Sequence, residues 1–310
     1  MTMRNSASID EPELRLFARL AAPQLRGIAA RGSDPGASRD SPGSGLEFLD
    51  LRDYQPGDDI RHVDWRQTAR RQQTVTRRFR DEAAADWFIC VDCSTSVCMH
   101  ESKWMMTIRL ATALAYTCLF SGHRVAMLLF DDRIQGVCHL GRGAHQFAAL
   151  LKLLLAQDAD SLASKPIEPN SENIRGNTTS RRHSNLGLCR DFLSRSSNIF
   201  VISDFLEADG MRPDVQAIRS VAASTSAIQV LADDEIKVPV SGLTNLFDVE
   251  SGQSKQLVIS ESEIAATNQA LTQHAIDLRR DCNRLGVPFT TCQTSDAWQK
   301  VLIEHLSVRP

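Results

Sequence analysis

The stretch Trp87–Ser96, WFICVDCSTS, decides the reading of this chain. Its first five residues carry no charge and no turn former. That is the pattern of a short strand covered on both faces, as in a parallel sheet. The run ends at Asp92 and leads into Asp92-Cys93-Ser94-Thr95-Ser96, a carboxylate and then two hydroxyls at alternate positions. Alternate side chains in a tight loop point the same way, so the three oxygens can converge. Hard oxygen donors of this kind suit Mg²⁺, with Mn²⁺ or Ca²⁺ taking the same ligand type.

Working outward, residues 102–120 carry an apolar face at helical spacing that stops at Ser121-Gly122. RVAMLLF, residues 124–130, reads as a second buried strand, and QGVCHL, residues 135–140, as its hairpin partner across Asp131-Asp132-Arg133. A helix is expected over 145–156, a long polar loop over 157–183 and a helix over 184–196. NIFVISD (198–204), AIQVLAD (227–233) and VPFTTCQ (287–293) read as three further strands, with helices near 212–222, 261–285 and 296–307. Short apolar strands alternating with helices give an α/β fold, a doubly wound and mainly parallel sheet. Ligands in such sheets bind beyond the carboxyl ends of the strands, at the switch point. Two strands end there in an acid, Asp92 and Asp204, and Ser184 ends the long loop with another hydroxyl.

Upstream the text differs. Residues 11–30 read as an amphipathic helix interrupted at Pro23, and 31–45 as a flexible Gly/Ser/Pro/Asp loop. Residues 46–82 are polar and rich in arginine, and they read as irregular structure with a short strand near QTVTRRF, residues 73–79. The chain thus divides into three segments: 1–45, 46–82 as an Arg-rich extension, and the α/β domain over 83–310.

Composition narrows the function. The chain has 310 residues, 42% of them hydrophobic, and a net charge of −3, so it can fill a core and is not a general polyanion binder. No apolar run approaches the ~18 residues needed to cross a bilayer. The first twenty residues lack an apolar signal core. Eight cysteines in this length are not a disulfide scaffold, so a reducing, cytoplasmic setting is expected. Cys90-x-x-Cys93 has a zinc-like gap, but no second pair completes a site.

Residues 43–71, GSGLEFLDLRDYQPGDDIRHVDWRQTARR, resemble the signature of the bacterial domain-of-unknown-function 58 family. The residues that carry the likeness are Gly45, Glu47, Phe48, Arg52, Tyr54, Pro56, Gly57, Asp58, Asp59, Arg61, Asp64, Trp65, Ala69 and Arg70. The resemblance implies a von Willebrand factor A-like domain and an association with MoxR-type AAA+ ATPases, as an adaptor in maturation or assembly of other proteins. It implies no established reaction. The segment after the first strand likewise resembles the metal-ion-dependent adhesion site of von Willebrand factor A domains. By that resemblance Asp92, Ser94 and Ser96 form the first loop, Ser184 stands where the family has Thr, and Asp204 takes the last position.

Bland readings stand beside these. Asp and Ser after a strand are ordinary turn and helix-cap residues. In the signature, Arg–Asp pairs can fix an extended segment internally, with Trp65 buried as an anchor. The Arg cluster from Arg61 to Arg80 holds only Trp65 and Phe79 as stacking residues and is bracketed by acids, so nucleic acid is not expected. No G-x-S-x-G elbow and no P-loop is present. The expectation is a non-enzymatic interaction protein docking through a Mg²⁺ site. The alternatives are a metal-independent scaffold that docks through the Arg-rich segment, and a Mg²⁺-dependent phosphohydrolase.

Overall fold

The strand expected at residues 87–92 is β3 (Asp86–Asp92), an inner strand of the six-stranded sheet. In the computed structural model, residues 10–32, 47–56, 58–80, 84–157, 185–206, 212–236, 242–247 and 254–308 are described. They fall into two units, one of residues 1–32 and 85–310, the other of residues 33–84.

In the first unit β3 lies between β4 (Arg124–Phe130) and β6 (Ser197–Ser203), parallel to both. Beyond β6 come β7 (Ser224–Leu231) and β10 (Phe289–Gln293), also parallel. β5 (Ile134–Gly141) closes the other edge as the antiparallel hairpin partner of β4. The order β10-β7-β6-β3-β4-β5 reverses direction at β3, so the switch point lies between β3 and β6. A separate hairpin, β8 (Gly242–Phe247) with β9 (Ser254–Ile259), was not anticipated.

Alternation along β3 divides the core in two. Trp87, Ile89 and Val91 face helices α1 (Glu11–Gly32), α4 (Glu101–Phe120), α5 (Gly143–Leu155) and α9 (Trp298–Ser307). Phe88 and Cys90 face a 3₁₀ turn (Leu186–Phe192), α6 (Arg212–Arg219) and α8 (Glu261–Arg284). Trp87 stacks on Phe200 of β6 at 4.9 Å between ring centres, both fully buried. Burying a side chain of that size contributes about 2–3 kcal/mol. The fold is thus the doubly wound, mainly parallel α/β sheet expected. Cys90 and Cys93 point into opposite clusters, which separates the zinc-like pair.

α4 ends where the sequence placed its stop. Gly122 adopts φ +82°, the His123 amide bonds the Cys118 carbonyl at 3.1 Å, and the Gly122 amide bonds Leu119 at 3.0 Å. This is the paired C-terminal closure that favours glycine. The helix expected over 184–196 is instead the seven-residue 3₁₀ turn at Leu186–Phe192. Its buried residues, Leu186 and Cys189, are three apart, which suits three residues per turn. The expected loops at 31–45 and 157–183 fall almost wholly outside the described residues.

α1, expected with its loop as a segment of its own, belongs to the α/β unit. Leu14, Phe17, Ala21 and Leu25 enter the core, and Phe17 meets Trp298 edge-on at 5.0 Å.

In the second unit β1 (Glu47–Asp53) pairs antiparallel with β2 (Val75–Arg80). Between them lie a 3₁₀ turn (Ile60–His62) and α2 (Trp65–Arg71). Among the described residues no helix is long and apolar enough to cross a membrane.

Candidate functional site

The parallel register aligns Val91 with Ile202, so Asp92 and Ser203 stand side by side one step further on. Both are buried, and the Ser203 hydroxyl donates to Oδ2 of Asp92 at 2.5 Å. The Ser94 amide donates to Oδ1 of Asp92 at 2.8 Å, which turns the chain sharply after the strand. Ser94 then caps α3 (Thr95–Cys98), yet its hydroxyl makes no capping bond. It lies instead 3.1 Å from the Ser96 hydroxyl, which donates to Oδ2 of Asp204 at 3.0 Å. Both serines are partly exposed, while Asp92 and Asp204 are 1% and 4% exposed. The two partly exposed hydroxyls thus lead to buried Asp204, while the amide of the same Ser94 holds buried Asp92 at the adjacent strand end.

Asp204 is aimed by an unusual turn. Phe205 takes φ +49°, a left-handed conformation that bulky residues rarely adopt. The Phe205 amide donates to the Ser203 hydroxyl at 3.1 Å, and its carbonyl accepts from Nε2 of His274 on α8 at 2.8 Å. Gln229 of β7 donates to the Asp204 carbonyl at 2.9 Å.

Two residues of this cluster escaped the sequence reading. Nζ of Lys103 donates to Oδ2 of Asp204 and to Oε1 of Glu235, both at 2.8 Å. Glu235 lies on α7 (Asp233–Ile236), and its Oε2 accepts the Ala232 amide at 2.9 Å. Lys103 is fully buried. A signal was present, because Lys103, Met106, Leu110, Ala113 and Thr117 form the buried stripe of α4 at helical spacing. A lysine on such a stripe needs an acid opposite it.

The electrostatics reflect this arrangement. Burial, and then the charge of Asp204, raise the Asp92 carboxyl to about 7, against the hydrogen bonds from Ser203 and Ser94. Burial works to lower the Lys103 ammonium. The charge and hydrogen bond of Asp204, with those of Glu235, outweigh it and the net direction is upward. The pocket is thus short of positive charge even with Lys103 in it. Asp92, Ser94 and Ser96 offer oxygens of the type a hard divalent cation takes, so the donor set fits one. Asp204, already bonded to Lys103 and Ser96, is better placed to act through a hydroxyl or water than alone. Ser184 lies outside the described residues; the amide of its neighbour Asn185 bonds the Asp131 carbonyl, just past the end of β4, at 2.7 Å. No group of three His, Cys, Asp or Glu side chains forms a metal cluster among the described residues.

The signature residues lie in the second unit. Arg52 bonds Oδ1 of Asp58 at 2.6 Å, and Oδ2 of Asp58 accepts the Gln55 amide at 3.0 Å, closing the turn that holds Pro56. Gly57 is outside the described residues. The amide of Tyr54 bonds the Thr74 carbonyl at 2.8 Å. Asp59 accepts the amide and the guanidinium of Arg61, bonds that lower its carboxyl. Asp64 caps α2 through the Arg66 and Gln67 amides and accepts Nε of Arg77 at 2.9 Å, and its carboxyl is lowered, first by Arg77. Trp65 corrects the expectation. It is 64% exposed, because Asp64 rather than the indole anchors α2. Ile60 is as exposed, at 63%, and Arg61, Arg66, Arg70 and Arg71 are exposed around them.

A family model described as "Protein of unknown function DUF58" matches residues 50–276. Uncharacterized proteins of Mycobacterium bovis and Mycobacterium tuberculosis are 26% identical over 281 residues, covering 86% of this chain and 81% of theirs. Among solved structures, the conserved hypothetical protein BatB of Bacteroides thetaiotaomicron matches with TM-score 0.42 and 15% identity, over 72% of this chain and 98% of that one. An aerotolerance-related membrane protein of Bacteroides fragilis matches with TM-score 0.33 and 14% identity over the same shares. Likenesses this distant carry no argument about the site.

Proposed function

The chain belongs to the DUF58 family, and from that premise we propose that it is a non-enzymatic docking protein working through the strand-end pocket. The observation that carries this is the meeting of Ser94 and Ser96 with the buried acids Asp92 and Asp204, the first through the Ser94 amide and the second through the hydroxyls. Asp92, Ser94 and Ser96 would hold Mg²⁺ or Mn²⁺, with Ser184 and Asp204 assisting. Such a cation, when bound, supplies a directional bond to a carboxylate of a partner protein. The chain's own residues set up that bond. Ser203 and the Ser94 amide orient the Asp92 carboxylate, and Lys103 holds Asp204 in place. The partner class, a MoxR-type AAA+ ATPase or its client, comes from the family resemblance, and the cytoplasmic setting from the cysteine usage.

A phosphohydrolase is the weaker reading. The ammonium at this pocket is buried between two carboxylates, so it is not presented to a phosphate.

The test is co-purification with the MoxR-type ATPase of the same genome, in Mg²⁺ and in EDTA, for wild type and Asp92→Ala. The expected result is capture only by wild type in Mg²⁺, with both proteins folded. Equal capture under all four conditions rejects the reading.

A second reading rests on exposed Trp65 and Ile60 among arginines. Aromatic and arginine side chains are the residues that dominate protein interfaces. Metal-independent docking through this segment predicts capture that survives EDTA and is lost in Trp65→Ala.

A further inference from the structure

We propose that Lys103 sets how much positive charge a cation at Asp92, Ser94 and Ser96 has left for a carboxylate from outside the chain. The inference rests on the cation-site reading above. The Ser94 amide bonds Asp92, the Ser94 and Ser96 hydroxyls lead on to Asp204, and the Lys103 ammonium is bonded to Asp204. It therefore cancels one of the two negative charges that a dication would otherwise meet. Glu235 pulls the ammonium the other way, from a position 25% exposed where water screens it.

The placement of Lys103 supports a role in the pocket. It lies in the first turn of α4, where the helix dipole disfavours a cation, and none of its side chain reaches solvent. Burying an ammonium costs several kcal/mol unless acids and hydrogen bonds offset it. An apolar residue would fill the same stripe of α4 without that cost. With a lysine there, a bound dication is less fully neutralised by the protein, and an incoming carboxylate completes the balance. Without it, the two acids facing the hydroxyls would hold the cation tightly and leave less attraction for a partner.

The experiment titrates Mn²⁺ alone into the full chain by calorimetry, then titrates acetate into the Mn²⁺-loaded protein. Wild type, Lys103→Met and Glu235→Gln are compared. Lys103→Met is expected to bind Mn²⁺ roughly tenfold tighter or more and to take up acetate more weakly. Glu235→Gln leaves the whole ammonium to Asp204, so Mn²⁺ binding is expected to weaken about threefold or more. Because Lys103→Met strands two acids, the partly exposed Glu235→Gln variant decides the matter if the first does not fold. Mn²⁺ binding by wild type with no change in the variants overturns the role of Lys103 and leaves the cation site standing. Absence of Mn²⁺ binding in wild type and Lys103→Met alike overturns both. Binding by Lys103→Met alone overturns both as well, for it makes the ammonium itself the resident cation.

Discussion

Ser203 donates its hydroxyl to Asp92 from the adjacent strand, at 2.5 Å, one residue beyond the last paired position of β3 and β6. The bond serves a buried acid, so its loss leaves an acceptor without one of its donors. Ser203→Ala is expected to lower stability by about 1–3 kcal/mol, read from urea denaturation followed by far-UV circular dichroism. An unchanged midpoint would mean that Asp92 finds another donor at no loss.

Asp92→Asn keeps the shape of the side chain and removes a negative charge that faces Asp204 in a buried place. In EDTA the variant is expected to melt no lower than wild type, while Mn²⁺ binding is lost. Stability and ligand binding then move apart, the behaviour of a group kept for a site rather than for the fold. A variant that melts well below wild type would assign Asp92 to the fold instead.

Asp64 and Trp65 are neighbours with opposite parts in the second unit. Asp64→Ala removes the cap of α2 and the partner of Arg77, and amide exchange at Arg66 and Gln67 is expected to quicken by roughly tenfold. Trp65→Ala is expected to leave that exchange unchanged, since the indole is 64% exposed. Hydrogen-exchange mass spectrometry of the full chain separates the two.

His305 gives a pH dependence. Burial lowers its imidazole from 6.5 to about 4, with Nδ1 beside the Thr290 hydroxyl at 3.0 Å. Between these values the unfolded chain takes up a proton that the folded chain refuses, so this residue makes stability rise with pH across that window. The contribution reaches about 3 kcal/mol, is complete above pH 6.5 and is lost as the pH falls toward 4. His123, lowered by burial too, adds to the slope, while Asp92 tilts it the other way. The comparison of His305→Gln with wild type over pH 4–7 isolates the histidine: the variant's profile is expected to be flatter on the acid side. Parallel profiles would refute it.

The sheet was legible because its strands announce themselves. A buried parallel strand has no polar face, and β3, β4 and β6 show as short unbroken apolar runs. The acids that end β3 and β6 were legible for the same reason, since a charge after such a run marks the strand end. Lys103 and Glu235 were hidden because their meeting is tertiary: 132 residues separate them, and neither sits in a local motif. Trp65 was misjudged because composition favours burying an indole, whereas the local hydrogen bonds of Asp64 already fix the helix. The hairpin β8–β9 lies apart from the main sheet and carries no strong apolar run.

His274 lies on the 24-residue helix α8 and grips the Phe205 carbonyl at 2.8 Å, one residue past Asp204. The aim of Asp204 is thus set in part from outside the sheet, by a side chain 69 positions beyond Phe205 along the chain, and a change at His274 reaches the acid without altering a single strand.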